Sequence, residues 1–134
     1  IIGKANVLKQ GKDITLIAAG PLVFEAIKAA AILKLKHNIS ATVIDCHTIK
    51  PLDKNTIISA AKKTKRIITI EEHQITGGLG GAVAELLSEN HPTLIKRIGV
   101  NDHYGESGEP QELLTKFKLD AKNIVKEAVK LCKR

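Results

Sequence analysis

The stretch that decides the fold is residues 67–81, which read IITIEEHQITGGLGG. Four mostly β-branched residues come first, followed by two carboxylates and a histidine. Four glycines then lead into the run AVAELL. This order is typical of a buried parallel strand, a polar loop at its carboxyl end and a helix that begins on glycine. Because ligands and partners meet open α/β sheets at such strand ends, the segment predicts where the functional surface lies.

Elements of the same two kinds alternate along the rest of the chain. Pro21 stands where the first turn of a helix should be, and apolar residues then recur at helical spacing. Asp53 and Asp120 are placed to cap two further helices. Strands that alternate with helices imply a mostly parallel sheet with helices on both faces. The predicted strands are residues 4–9, at a sheet edge, and residues 14–19, 41–44, 66–70 and 94–100.

Length and composition narrow the class of protein. The 134 residues are one domain's worth, so residues 1–134 are predicted to form a single domain. The net charge is +7, but only three of the 21 basic residues are arginine and only 2% of residues are aromatic. Nucleic-acid platforms typically add arginines and stacking aromatics, which argues against a nucleic-acid binder. No apolar run approaches the ~18 residues that a membrane span needs.

The cysteines and the start of the chain carry two further expectations. Cys46 and Cys132 are far apart and form no CxxC pair, which favours reduced thiols in a cytoplasmic protein. The chain contains no methionine and begins at Ile1. We therefore expect it to be a piece of something longer, and such a piece can lack the catalytic half of its enzyme.

The glycine-rich loop does not match the known nucleotide-binding patterns. A dinucleotide-binding fingerprint needs Gly-x-Gly-x-x-Gly, and Val83 stands where its third glycine should be. The absence of a Gly-Lys-Ser/Thr sequence excludes a P-loop. We therefore interpret Gly77, Gly78, Gly80 and Gly81 as structural, with a positive φ expected for at least one of them. The alternative left open is a stand-alone regulatory module that binds an anion at the helix N-terminus.

Polar side chains follow three of the predicted strands. Glu71 and Glu72 are adjacent, so they point to opposite faces and make a poor acid–base pair. His73 could act as a general base, but a lone histidine at a strand end is more often a structural or interface residue. The segments 45–47, 71–73 and 101–103 are expected at one edge of the sheet. No pair of metal ligands occurs at i, i+4 spacing on a helix, so no metal site is predicted.

Several segments, in the right order, resemble one family over essentially the whole chain. Residues 48–53 (TIKPLD) resemble the T-x-K-P-L-D element of the transketolase C-terminal domain. Residues 71–80 resemble its E-E-H…G-G-x-G element, and residues 105–114 its G-x-S-G…E-L-L element. The opening and the final helix of that domain are matched by residues 3–5, 11–13 and 119–124.

The resemblance implies a three-layer α/β/α domain whose five-stranded, mostly parallel mixed sheet has an antiparallel first strand. It also implies an enzyme of the pentose phosphate pathway that moves a two-carbon ketol unit between sugar phosphates. Such enzymes use thiamine diphosphate and a divalent metal, Mg²⁺ or Ca²⁺, bound by the preceding domains through a motif that begins Gly-Asp-Gly. This chain has no Gly-Asp pair. We therefore expect no catalytic, cofactor-binding or metal-binding residue here, and no activity of the chain alone.

The same resemblance assigns a structural role at the dimer interface. The expected partners are the N-terminal cofactor-binding domains, in the same chain or in a separate subunit, in a homodimer or an α2β2 assembly. Alternatives are the C-terminal domain of deoxyxylulose-phosphate synthase and that of a 2-oxo acid dehydrogenase β subunit. The candidate interface or structural residues are Pro51, Asp53, Glu72, His73, Gly77, Gly78 and Gly80.

Overall fold

The computed structural model describes residues 3–72, 78–99, 112, 114–115 and 118–133. Within these residues, five strands form one mixed sheet in the order β1-β3-β2-β4-β5. Strand β1 pairs with β3 in antiparallel orientation, and every other neighbouring pair is parallel. The strands are β1 (Asn6–Lys9), β2 (Ile14–Ala18), β3 (Ala41–Asp45), β4 (Arg66–Ile70) and β5 (Leu94–Ile98).

Four helices whose bounds lie within the described residues cover the two faces of this sheet. They are α1 (Leu22–His37), α2 (Lys54–Thr64), α3 (Leu79–Asn90) and α4 (Ala121–Cys132). One apolar cluster joins α1 and α4 to the sheet, and a second cluster joins α2 and α3 to the opposite face. Strand β2 is buried along its whole length, because its side chains alternate between the two clusters. The predicted three-layer α/β/α fold with an antiparallel first strand is confirmed.

The helix ends follow from local sequence. Pro21 occupies the position before α1 with φ −65°, and Asn38 ends that helix in the left-handed conformation with φ 54°. The Asp120 side chain accepts a hydrogen bond from the Asn123 amide at 3.2 Å and caps α4, as predicted. The predicted polar loop of residues 101–108 and most of the short helix predicted to follow it lie outside the described residues; Glu112, Leu114 and Thr115 are helical.

Candidate functional site

The parallel strands β2 to β5 end at one edge of the sheet, here named the carboxyl edge. Asp45 at the end of β3 lies level with Ala18 of β2, which lies level with Ile70 of β4. Strand β2 therefore separates Asp45 from Glu71 by roughly 10 Å, the width of two strand spacings. His73 and residues 101–103 lie outside the described residues, so their clustering at this edge stays a prediction.

Glu71 is the best-defined polar group of the edge. It is only 8% exposed, and its carboxylate turns back onto the N-terminus of α3. The Leu79 amide donates to Glu71 Oε1 at 3.0 Å, and the Gly80 amide donates to Oε2 at 2.6 Å. A carboxylate in this position satisfies two amides that the helix cannot pair and faces the positive end of its dipole. Glu72, the next residue, is exposed.

Gly80 is a glycine because of close packing. A Cβ atom there would lie 2.7 Å from Glu71 Oε2, 2.8 Å from Arg97 Nε and 2.9 Å from Thr69 Oγ1. Gly78 has φ −73°, and neither Gly80 nor Gly81 has a positive φ. None of the three described loop glycines has a positive φ, and because Gly77 lies outside the described residues, the expectation that at least one of the four does stays a prediction. What demands a glycine at Gly80 is the buried carboxylate next to it.

The segment around Asp53 fastens the start of the chain to the carboxyl edge. The Asp53 carboxylate accepts hydrogen bonds from the Thr56 hydroxyl at 2.7 Å and amide at 3.3 Å, which caps α2 as predicted. Its Oδ2 also accepts the Ala5 amide at 2.9 Å, 48 residues away in sequence. The Lys50–Pro51 peptide bond is cis, and a Cβ on Gly3 would lie 3.1 Å from Pro51 Cγ. The first described residues therefore pack on the TIKPLD segment.

These contacts make Asp53 a charged anchor whose strength depends on pH. Burial alone would raise its pKa, but hydrogen bonds from Ala5 and Thr56, with the nearby Lys4 charge, outweigh burial and lower it. A carboxyl whose pKa is lowered on folding contributes stability above its unfolded pKa of about 3.9. That contribution is lost as the pH falls through the still lower pKa of the folded state.

We expect Asp53→Asn to lower the free energy of unfolding by about 1 kcal/mol at pH 7. The amide has the size of the carboxylate but lacks its charge and offers one acceptor oxygen where Asp53 uses two, so the difference from the parent chain should shrink below about pH 4. Thermal unfolding of both proteins between pH 7 and pH 3 measures this. A difference that stays constant over the whole range would show that the carboxylate charge contributes nothing.

Cys46, two residues before the TIKPLD segment, is a core residue. Cys46 is 1% exposed, and its thiol donates to the Thr48 carbonyl at 3.5 Å. Burial raises the pKa of the Cys46 thiol, and the charges of Asp53 and Asp45 act in the same direction. Since the thiolate is the reactive form, Cys46 is a poor nucleophile and a poor redox centre.

The described residues do not fit a thiamine diphosphate site. The amide-rich N-terminus of α3 already holds the carboxylate of Glu71. Within the described part of the chain, no three His, Cys, Asp or Glu side chains come close enough to hold a metal ion. No helix of that part is both long and apolar enough to cross a membrane.

One important buried carboxylate was missed from the sequence. Glu25 on α1 is 5% exposed and accepts the Ala121 amide at the start of α4 at 3.0 Å. Its other oxygen lies 2.6 Å from Lys28 Nζ. The sequence pattern could have identified it, because Glu25 lies between Leu22 and Ala29 on the buried face of α1. A charged residue on an apolar helix face indicates a specific buried partner.

Comparison with known families and structures agrees with this architecture. The model of the transketolase C-terminal domain family matches residues 3–124. The chain is 42% identical over 133 residues to a 6-deoxy-6-sulfo-D-fructose transketolase subunit of a Clostridium species, covering 99% of this chain and 41% of that protein. It is 43% identical over 134 residues to an apulose-4-phosphate transketolase subunit from Phocaeicola vulgatus, covering 100% of this chain and 42% of that protein.

Other relatives and solved structures extend the comparison. The 1-deoxy-D-xylulose-5-phosphate synthase of Halothermothrix orenii is 39% identical over 132 residues, which are 97% of this chain and 21% of that enzyme. A solved split-gene transketolase, an inactive β4 tetramer, is 42% identical with a TM-score of 0.90 over 98% of this chain and 43% of its own. A Pichia stipitis transketolase mutant shares the fold at 21% identity, with a TM-score of 0.70.

This sheet order is that of a three-layer α/β domain, and the chain belongs to the transketolase C-terminal domain family. It spans about two fifths of the length of the transketolase subunits it matches, and about one fifth of the synthase.

Proposed function

We propose that this chain is the C-terminal domain of a thiamine diphosphate-dependent transketolase, which transfers a two-carbon ketol unit between sugar phosphates. Its role there is assembly, and the reacting groups belong to other domains. The observation that carries this proposal is the match of the transketolase C-terminal domain family to residues 3–124. The Ala5–Asp53 hydrogen bond of 2.9 Å holds Ala5 at the carboxyl edge, next to the candidate residues Pro51 and Asp53.

Each candidate residue has a place in this proposal. Asp53 and Pro51 hold the start of the chain, and Gly80 lets Glu71 order the first turn of α3. Glu72, which is exposed, and the candidate residues His73, Gly77 and Gly78 are proposed to contact the cofactor-binding domains. Those domains are proposed to lie in the same chain or in a partner subunit, within a homodimer or an α2β2 enzyme. The two free cysteines, Cys46 and Cys132, support a cytoplasmic location.

Deoxyxylulose-phosphate synthase is the second candidate for the whole enzyme. The identities of 39–43% to such synthases overlap those of 42–44% to the transketolase subunits and to a putative transketolase C-terminal section of Methanocaldococcus jannaschii. Assay of the assembled enzyme separates the two: formation of 1-deoxy-D-xylulose 5-phosphate supports the synthase, and ketol transfer between sugar phosphates supports the transketolase. The 2-oxo acid dehydrogenase alternative stays a prediction, with the same assay as its test.

A stand-alone anion-binding module is disfavoured by the geometry of Glu71. The two amides that a phosphate would use are already hydrogen-bonded to its carboxylate at 3.0 and 2.6 Å. An external anion would have to displace this buried negative charge or lie against it, and both cost free energy.

Titration of the chain with thiamine diphosphate and Mg²⁺ is expected to give no saturable heat in the micromolar range. The reason is that the described residues offer neither a free amide cradle nor a cluster of metal ligands. Isothermal calorimetry measures this, and a saturable one-to-one isotherm would contradict an assembly role. The assembled enzyme, which includes the cofactor-binding domains, provides the positive control.

His73→Ala is expected to weaken assembly or raise the KM for sugar phosphate a few-fold in the assembled enzyme, with kcat nearly unchanged. An interface residue affects binding, whereas loss of a general base costs ~10²–10⁴-fold in rate. His37→Ala is the matched control, because His37 is exposed in the last turn of α1, at the end of the helix that lies away from the carboxyl edge. A kcat loss of general-base size with intact assembly would make His73 catalytic.

A further inference from the structure

A cleft lies between strand β5, at one edge of the sheet, and helix α4. Within the described residues β5 pairs only with β4, so its other edge is open. The cleft contains two adjoining cavities of about 250 and 210 Å³, and Lys96 and Glu127 line both of them. It lies on the face of the sheet that α1 and α4 cover, opposite the α3 N-terminus that Glu71 occupies.

The larger cavity brings together cations from three segments of the chain. Lys96 on β5, Lys118 in the turn before α4 and Lys126 on α4 all line it, and all three are exposed. The one carboxylate in its described lining is that of Glu127, whose oxygen lies 3.7 Å from Lys130 Nζ. Over the part of the chain that the structure describes, no Asp or Glu forms an ion pair with any of the three lysines. The cavity therefore has an excess of positive charge.

The usual reasons for a surface lysine do not explain Lys118. Lys34 and Lys36 lie in the last turn of α1, where the helix dipole favours a cation. Lys118 instead precedes the N-terminus of α4, which is the positive end of that helix. It has a φ of 62°, a left-handed conformation that is uncommon for a residue with a side chain. The Asn123 side-chain amide donates to its carbonyl at 2.7 Å, so the turn holds this cation beside the cavity.

We propose that the larger cavity, here named the β5–α4 site (Lys96, Lys118, Lys126 and Asn123), binds the phosphate group of a small phosphate ester. Lysine ammonium groups bind phosphate as point charges, so their convergence from three segments favours this ligand. The cavity is smaller than the roughly 300–1,000 Å³ of sites for drug-sized ligands, which suits a phosphate that carries a few carbon atoms. This site goes beyond the function proposed above, because it requires neither the cofactor nor another domain.

Glu127 favours a single phosphate over a polyanion. Because this residue lines both cavities, a chain of phosphates that followed the cleft would have to pass its carboxylate. Like charges at such short range repel. Among the described residues, neither cavity is lined by an aromatic side chain on which a nucleic-acid base could stack. The cleft therefore fits a small ester better than a nucleic acid.

NMR titration of the ¹⁵N-labelled chain with glycerol 3-phosphate tests the site. We expect saturable shifts centred on the amides of Gly99, Asn123 and Lys126, with a Kd on the order of 0.1–1 mM. Glycerol alone should produce no such shifts. Inorganic phosphate should bind about threefold or more weakly, because it leaves part of the cavity unfilled. Equal affinity for inorganic phosphate would show that the free ion is the ligand and overturn the ester assignment.

A pair of double variants distinguishes this site from general attraction by a basic protein. Lys96→Gln with Lys126→Gln should weaken the binding of glycerol 3-phosphate about tenfold. Lys36→Gln with Lys62→Gln changes the net charge equally at exposed positions outside the cleft, so the Kd should change by less than about twofold. Circular dichroism checks that each variant is folded. Equal weakening in both double variants, no saturable shifts, or shifts centred elsewhere would overturn the proposal.

Removal of the carboxylate in the cavity gives a test in the opposite direction. Glu127→Gln should tighten the binding of inorganic phosphate about two- to fivefold, because it removes a negative charge from the lining and releases Lys130. Glu89→Gln, at an exposed position on α3, is the matched control and should leave the Kd unchanged. Equal effects of the two substitutions would show that only net charge matters and contradict a defined site.

Discussion

The substitution Gly11→Ala is expected to lower the free energy of unfolding by about 3–5 kcal/mol. Gly11 is buried in the turn between β1 and β2, and a Cβ there would lie 2.4 Å from the carbonyl carbon and 2.5 Å from the nitrogen of Ala41. Those are backbone atoms of β3, so no side-chain rotation can relieve the overlap. The melting temperature should fall by about 10–20 °C.

A shift of residue 11 away from Ala41, which would relieve the overlap, also breaks a local pair of hydrogen bonds. The Gly11 amide donates to Thr42 Oγ1 at 2.9 Å, and the Thr42 hydroxyl donates to the Gly11 carbonyl at 2.7 Å. Gly81→Ala is the matched control, since among the described residues a Cβ there meets only Arg97 Nη2, at 3.6 Å. In the helix this control should be neutral or stabilise by up to ~1 kcal/mol. Equal melting temperatures for the two variants would contradict the packing argument.

Removal of the buried carboxylate in Glu71→Ala is expected to cost about 2–4 kcal/mol. The amides of Leu79 and Gly80 lose their acceptor, and a cavity opens beside Thr69, whose hydroxyl has no hydrogen-bond partner among the described residues. Chemical denaturation of parent and variant measures the loss. The neighbouring Glu72→Ala, at an exposed position, should change stability by less than about 0.5 kcal/mol.

The Glu71→Ala variant also tests why the helix N-terminus needs no external anion. With the carboxylate gone, the free amides of α3 form an anion site, so sulfate or phosphate should raise the melting temperature of the variant. The parent chain should show a smaller effect in the same salt, with chloride at equal ionic strength as the control. Equal responses of both proteins would contradict the view that Glu71 occupies that site.

The order of strands and helices could be predicted from the sequence, because it depends on local patterns. Buried strands such as β2 are short apolar runs, and the caps Asp53 and Asp120 stand directly before helical spacing. The antiparallel first strand came from the family resemblance, since β1 has only four residues, all exposed, and little pattern of its own.

The residues of the carboxyl edge were predicted less completely. Glu72 and the glycine loop were named as candidates, but Glu71 was treated as one of a carboxylate pair and its capping of α3 was not foreseen. Gly80 and Gly81 look alike in the sequence, yet only Gly80 lies against a buried carboxylate and Thr69. That difference arises from the distance between β4 and α3, which periodicity does not contain.

The sequence by itself determined the alternation of elements and the two faces of the sheet, and it predicts the edge at which function should lie. These depend on periodicity and on the rule that parallel strands end together. Only the tertiary structure decided which polar groups meet across long sequence separations. Ala5 with Asp53 and Glu25 with Ala121 are 48 and 96 residues apart. Hydrogen bonds of this kind require two surfaces to be brought within about 3 Å, and only the packing of helices against the sheet does that.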